Sequence, residues 1–258
     1  VKNRHIKVID YLIQNHLFEN DFNHQNNDGN SGLILASALN FPEIVKKILY
    51  IPKINYNCVN NYGYTAFTFA LFYKEALYYK DRESYNDILF THSSFTNRFE
   101  VIELLSKILT LDINHTDNAN NTPLLLSLRQ NDKFTFQYLI QLQKTNIRHL
   151  NDLGQDAFFF AVRYADLSII QKISKLEGID INRQDIYGNT PLIYAIERGQ
   201  LFIIKYLTQL LNICPNISNN DGDTPLIRAV YKKSLSMVKS LSIFENINYN
   251  HCNQTGSS

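Results

Sequence analysis

The sequence is poor in several things, and each scarcity removes a class of answer. Its 258 residues hold three cysteines, six prolines, nine glycines, one methionine and no tryptophan. Cys58, Cys214 and Cys252 form no C-x-x-C pair, and no His/Cys cluster has zinc-ligand spacing. Free thiols in a reducing compartment follow, which points to an intracellular protein, cytoplasmic or nuclear. No glycine stands in GxGxxG or GxxxxGK[ST], so no phosphate-cradling loop and no nucleotide cofactor are expected. A G-x-S-x-G elbow and an H-E-x-x-H pair are missing too. No uncharged apolar run reaches the ~18 residues that span a bilayer, and no signal peptide opens the chain. The net charge of +1 lacks the basic excess of a dedicated nucleic-acid binder. What is present is 45% apolar residues, enough for a continuous core, and abundant asparagine that falls in turns rather than in a low-complexity tract.

The few glycines carry a period. Gly29, Gly63, Gly154, Gly188, Gly222 and Gly256 share one phase, recurring about every 34 residues except for one longer gap between Gly63 and Gly154. Asn120 stands one period before Gly154 and fills the missing position. Asparagine is the next-best residue at positive φ, so a turn is kept there. The stretch from Gly63 to Asn120 exceeds the period by about 23 residues, which implies an insertion.

The text around these positions recurs. Asp185-Ile186-Tyr187-Gly188-Asn189-Thr190-Pro191-Leu192 is matched by Asn219-Asn220-Asp221-Gly222-Asp223-Thr224-Pro225-Leu226 and by Asp117-Asn118-Ala119-Asn120-Asn121-Thr122-Pro123-Leu124. Thr before Pro suits a helix start: Thr caps a free N–H, and Pro needs none in the first turn. Helical apolar spacing follows, as in Leu201, Ile204, Tyr206 and Leu207. The pattern resembles the ankyrin repeat, D-x-x-G-x-T-P-L-H-x-A followed by two helices, over nearly the whole chain. The resemblance implies an all-α ankyrin solenoid: helix–turn–helix repeats joined by β-hairpin loops in a curved stack with a concave binding face.

The expected organisation is a single ankyrin domain, 1–258. Residues 1–24 form a partial repeat with a second helix only. Repeats then span 25–59, 60–116, 117–150, 151–184, 185–218 and 219–252, and 253–258 is a stub. The second repeat carries an insertion at about 73–97. Its first part continues the helix, its later part with Ser93-Ser94 is a loop, and the second helix resumes near Phe99. Insertions in such arrays often lie on the binding face, so Tyr78, Tyr79, Tyr85 and Phe90 are candidates for partner contact. Neither end reads as a cap, and Val1 is not Met, so the chain reads as a domain excised from a larger protein. The histidine of the family motif is absent from every copy, and Ser31-Gly32, Thr65-Ala66 and Asp156-Ala157 replace Thr-Pro. These copies should have less ideal turns and a softer N-terminal side.

Catalytic constellations are not expected. The seven histidines are scattered at about one repeat apart, roughly 10 Å by helix-packing distance, which is too far to share a metal. Asp221 and Asp223 are turn residues rather than an acid/base pair. The resemblance implies instead that binding residues sit two and three positions after the alanine of each first helix. These are Ala38 and Leu39, Phe72 and Tyr73, Arg129 and Gln130, Arg163 and Tyr164, Glu197 and Arg198, and Tyr231 and Lys232. Arg129, Arg163, Arg198 and Lys232 against Glu197 make a basic stripe. Tyr62, Tyr64, Leu153, Tyr187, Asp221 and Asp223 join them from the hairpin tips. Tyrosine and arginine are the residues enriched at interface hot spots.

The expectation is a non-catalytic scaffold, without cofactor, metal or small-molecule substrate and monomeric in isolation. It binds a protein or peptide of acidic and apolar character. The alternative is a targeting or regulatory region of a larger enzyme or regulator, such as a small-GTPase exchange factor, palmitoyltransferase, transcription regulator or secreted bacterial effector. Nucleic-acid binding through the stripe is disfavoured by the near-neutral charge and acidic tips.

Overall fold

The computed structural model describes residues 23–71 and 94–256, with the side chains of 94–99 outside the description. The half-repeat helix expected over 1–13 and the aromatic insertion residues Tyr78, Tyr79, Tyr85 and Phe90 lie outside the described residues. The chain divides into two compact units, Val1–Pro123 and Leu124–Ser258. The first contains α1 (Gly32–Ala38), α2 (Pro42–Leu49), α3 (Ala66–Leu71) and α4 (Ser94–Ser106). The second runs through α5 (Pro123–Arg129), α6 (Lys133–Leu139), α7 (Ala157–Tyr164), α8 (Leu167–Ile173), α9 (Pro191–Glu197), α10 (Leu201–Leu207), α11 (Pro225–Tyr231) and α12 (Leu235–Leu241). The helix expected to resume near Phe99 starts earlier and includes Ser94.

Helices as short as most of these do not persist alone, so packing and caps must hold them. Ser31, Asp156, Thr190 and Thr224 each stand at an N-cap with extended backbone, and each side-chain oxygen accepts the N–H three residues on. The N-cap bond is therefore kept where Thr-Pro is lost. Ser and Asp cap as well as Thr does, with bonds of 3.4 Å at Ser31 and 2.9 Å at Asp156. The first helices α3, α5, α7 and α9 are buried nearly all round: Phe158, Phe159, Ala161 and Val162 of α7 have no exposed surface. Second helices bury one stripe, such as Ile169, Ile170 and Ile173 of α8 or Ile204 and Leu207 of α10. Each such Phe or Ile contributes roughly 1.5–3 kcal/mol of apolar burial.

The loops are organised by side-chain amides and carboxylates. Asp185 Oδ1 accepts the N–H groups of Tyr187 and Asn189 at 3.0 and 2.9 Å, and Asn219 Oδ1 does the same for Asp221 and Asp223 at 3.1 and 2.9 Å. In the first unit Asn60 Oδ1 takes Tyr62 and Tyr64, and Asp117 Oδ1 takes Ala119 and Asn121. The loops carry no β-strand among the described residues. They are turns because this Asx oxygen occupies N–H groups that a hairpin ladder would use. Within each unit one backbone bond per step links neighbouring tips, as from Asn220 N–H to Tyr187 O at 3.0 Å. Asn120 does take the glycine place, at φ 58°. At Gly188 glycine is demanded twice over: φ is 75°, and a Cβ there would sit 2.5 Å from Asn220 Oδ1.

A second set of asparagines clamps the segments that follow the second helices. Asn182 Nδ2 donates to Asn212 O at 2.6 Å while its Oδ1 accepts Cys214 N–H at 2.8 Å. Asn216 repeats this on Asn246 and Asn248, and in the first unit Asn23 and Asn57 do so on Lys53/Asn55 and Thr110/Asp112. The abundance of asparagine is thus structural. Each clamp satisfies backbone groups that short helices and loops leave open.

Candidate functional site

The first helices of the second unit end in the positions expected to contact a partner. The neighbouring loops supply tips just ahead of each glycine. Tyr164 is 37% exposed, Tyr187 58% and Tyr231 48%. Arg198, the C-cap of α9, is exposed, and its guanidinium makes no ion pair among the described residues. Arg129 and Gln130 are half-buried, and the Nε2 of Gln130 has no hydrogen-bond partner among the described residues. In the first unit Tyr62 is exposed and stacks on Tyr64, with centroids 6.2 Å apart, and Tyr64 stacks in turn on Phe69 at 5.8 Å. Phe72 and Tyr73 lie outside the described residues.

Three expectations are corrected by this geometry. Asp223 is not at an exposed tip. It is 3% exposed, accepts from Asn253 Nδ2 at 2.6 Å, and pairs with Arg228 Nη1 at 2.9 Å. Tyr64 stands at the same place in its loop, is half-buried, and stacks on Phe69. Tyr62, Tyr187 and Asp221, before their glycines, are exposed, while Asp223, after Gly222, is drawn in by the next loop. Secondly, Arg163 is not a free cation. Its Nη1 donates to Gln155 Oε1 at 3.1 Å, and its guanidinium lies over the rings of Tyr164 at 4.9 Å and Tyr194 at 5.2 Å. Thirdly, the basic stripe is interrupted. Glu197 carries two cations, Lys232 Nζ at 3.0 Å and Arg228 through its Nε.

Sequence reasoning missed Arg228 and Tyr194. Both occupy the place held by Phe160 one or two periods earlier, inside the helix rather than at its end. The signal available was a charged residue in an otherwise apolar column. Arg228 is held above the usual arginine range: burial lowers its affinity for the proton, but Glu197 and then Asp223 more than offset this.

Two further pairs explain departures from the repeat text. Asp156 is buried at its N-cap, and burial pushes its carboxyl up despite the Phe159 N–H and the Arg183 guanidinium 3.3 Å away. The place that Arg183 holds relative to Asp156 is held by Ile217 relative to Thr190, where the cap is uncharged. Arg148 replaces a clamp asparagine, and its guanidinium fills the space that a Cβ on Gly178 would need.

Among the described residues no group of three or more His, Cys, Asp or Glu is placed to hold a metal ion, and no helix is long and apolar enough to cross a membrane. Cys58 is held as the thiol, chiefly because burial raises its pKa.

Residues 158–253 match the family model for ankyrin repeats, in three copies. No curated protein matches the chain. Solved structures do. The ankyrin repeat domain of Bcl-3, described as a unique member of the IkappaB protein family, is similar at TM-score 0.68 and 20% identity, covering 92% of this chain and 91% of that one. An ankyrin repeat domain from Acinetobacter baumannii AYE gives 0.62 and 21%, covering 82% of this chain and 96% of its own. A further ankyrin repeat protein gives 0.66 and 19%, covering 86% and 100%. Ankyrin repeats are in general protein–protein interaction modules and typically non-catalytic. Residues 158–253 are thus ankyrin repeats by sequence, and the described residues as a whole share the ankyrin repeat fold.

Proposed function

We propose that the chain is a non-catalytic scaffold that holds an extended segment of another protein against the first-helix ends and loop tips of its second unit. The observation that carries this is the exposure of Tyr164, Tyr187 and Tyr231 on the same helix ends and loop tips as Arg198, whose guanidinium has no ion pair among the described residues. Large aromatic groups left in water at the ends of a rigid helix row offer contact area at little conformational cost. The available cation favours a partner with a carboxylate beside apolar or aromatic residues. Arg163 supports the site rather than touching the partner, since its guanidinium is spent on Gln155 and the two tyrosines.

The test is a displayed peptide library panned on the 258-residue chain and counter-panned on Arg198→Glu with Tyr187→Ala. Acidic, aromatic-containing peptides should be enriched on the parent and lost on the double variant. Enrichment that survives both substitutions would place binding elsewhere. Arg198→Glu alone should weaken such peptides about tenfold and reduce the salt dependence of what remains.

A further inference from the structure

The carboxylate of Glu197 lies where the row of helix ends would otherwise present its strongest cationic site. Glu197 ends α9, and Lys232 follows the end of α11 one step further on. Its Oε2 holds Lys232 Nζ at 3.0 Å, and its Oε1 meets Arg228, which is itself bound to Asp223. The Glu197 side chain is 27% exposed and Lys232 40%, so the pair lies at the surface of the face just described. Two cations and two carboxylates cancel there. One position over, Arg198 is exposed with no counter-ion among the described residues. The same row therefore has a neutral stretch and a cationic one, side by side.

We infer that Glu197 is a specificity-determining residue: an internal counter-ion that competes with a partner's carboxylate for Lys232 and confines anionic recognition to Arg198. This rests on the reading that the partner segment is acidic. Arg228 cannot be taken over in the same way, because Asp223 is buried and remains bound to it when Glu197 is lost. Lys232 has no such second carboxylate among the ion pairs of the described residues, so removing the Glu197 charge releases it. A segment with a second acidic residue would then span from Arg198 to Lys232, which occupy the same place in successive repeats, roughly 10 Å apart. Its chain would need about three extended residues to cover that distance.

The experiment uses two fluorescein-labelled peptides, one of alternating glutamate and tyrosine and one of alternating lysine and tyrosine. They are titrated into the full chain and into Glu197→Gln at two salt concentrations. The parent should bind the acidic peptide. Glu197→Gln should bind it about threefold tighter, the scale of one surface ion pair, with a steeper salt dependence. It should not gain for the basic peptide. Adding Lys232→Gln to Glu197→Gln should cancel the gain. Equal or weaker binding of the acidic peptide by Glu197→Gln overturns the inference while leaving the acidic-partner reading intact. So does a gain that survives Lys232→Gln, or one shared by both peptides. Failure of the parent and Glu197→Gln alike to bind the acidic peptide overturns both.

Discussion

The α7/α8 pair and the α9/α10 pair do the same job with different residues. At the first, the cap is Asp156 and Ala157 follows it. At the second, Thr190 is followed by Pro191 at the first turn. Both caps accept the N–H three residues on, at 2.9 and 3.2 Å. The difference appears in what faces them. A buried carboxylate needs a cation, and Arg183 supplies it from the loop after α8; a threonine needs none, and Ile217 stands in that place. The clamp differs in the same manner. Asn182 reaches across to Asn212 and Cys214, whereas Arg148 lies against Gly178. Departures from the repeat pattern thus come in compensated pairs, and a copy that looks degenerate by its motif is intact by its contacts.

The largest way to break the comparison is to remove half of the charged pair. Arg183→Ala leaves the buried Asp156 carboxylate without its cation. Loss of one member of a fully buried pair costs roughly 3–5 kcal/mol, and Arg183 is 36% exposed, so about 2 kcal/mol is expected in urea unfolding. Rebuilding the site as the neighbouring one, Asp156→Thr with Arg183→Ile, should recover most of that loss. If the double variant is as unstable as Arg183→Ala, the two residues are not a compensated pair.

An effect of similar size separates strain from collision at the clamp. Gly178 lies at φ 78°, where a side chain costs about 1–2 kcal/mol in itself. In Gly178→Ala the new methyl also meets the Arg148 guanidinium, which must move. About 2 kcal/mol of destabilisation is expected from the two together. Changing Arg148→Asn in that background should return the part due to collision, roughly a few tenths to 1 kcal/mol, and leave the backbone part.

These pairs also mark what was legible in the sequence. The helix pairs could be read because glycine phase, cap residue and apolar spacing are local signals, and Asn120 could be placed in the left-handed turn because asparagine tolerates it. The absence of paired strands could not, since it depends on the Asx oxygens winning the loop N–H groups. The site was half legible. Position in the repeat identified Tyr164, Tyr187, Arg198 and Tyr231 as surface groups, which they are. It could not show that Arg163 is stacked on two tyrosines or that Glu197 neutralises Lys232, because those facts join residues on neighbouring repeats. A motif describes one repeat, and charge cancellation in this array runs between repeats.

The smallest effect sharpens the comparison within one helix pair. Asp156 caps α7 and Asp166 caps α8, yet their carboxyls shift in opposite directions. Burial raises Asp156. Burial also acts to raise Asp166, but Lys133 at 2.7 Å, Ser168 and the Ile169 N–H outweigh it, and the net shift is downward. The signs follow from linkage. Folded Asp156 binds its proton more tightly than unfolded Asp, so its charge costs stability above its folded pKa. That cost fades as pH falls from there towards the unfolded value of about 3.9. Folded Asp166 binds its proton less tightly, so it adds stability above about pH 3.9 and loses it as pH falls through its lower folded pKa. Asparagine caps helices as well as aspartate, which isolates the charge. Asp166→Asn should therefore cost about 0.5 kcal/mol at neutral pH, a figure kept small because Lys133 and Asp166 are 47% and 38% exposed, and nothing once the pH is well below that lower pKa. Asp156→Asn removes an unfavourable charge but leaves Arg183 with only Asp180, 3.7 Å away, so the two should nearly cancel at neutral pH. Combined with Arg183→Ile it should stabilise by roughly a few tenths of a kcal/mol or more, and flatten the stability curve in the window just above about pH 3.9. Equal pH profiles for Asp156→Asn and Asp166→Asn would mean that the two caps see the same environment, and that burial does not distinguish them.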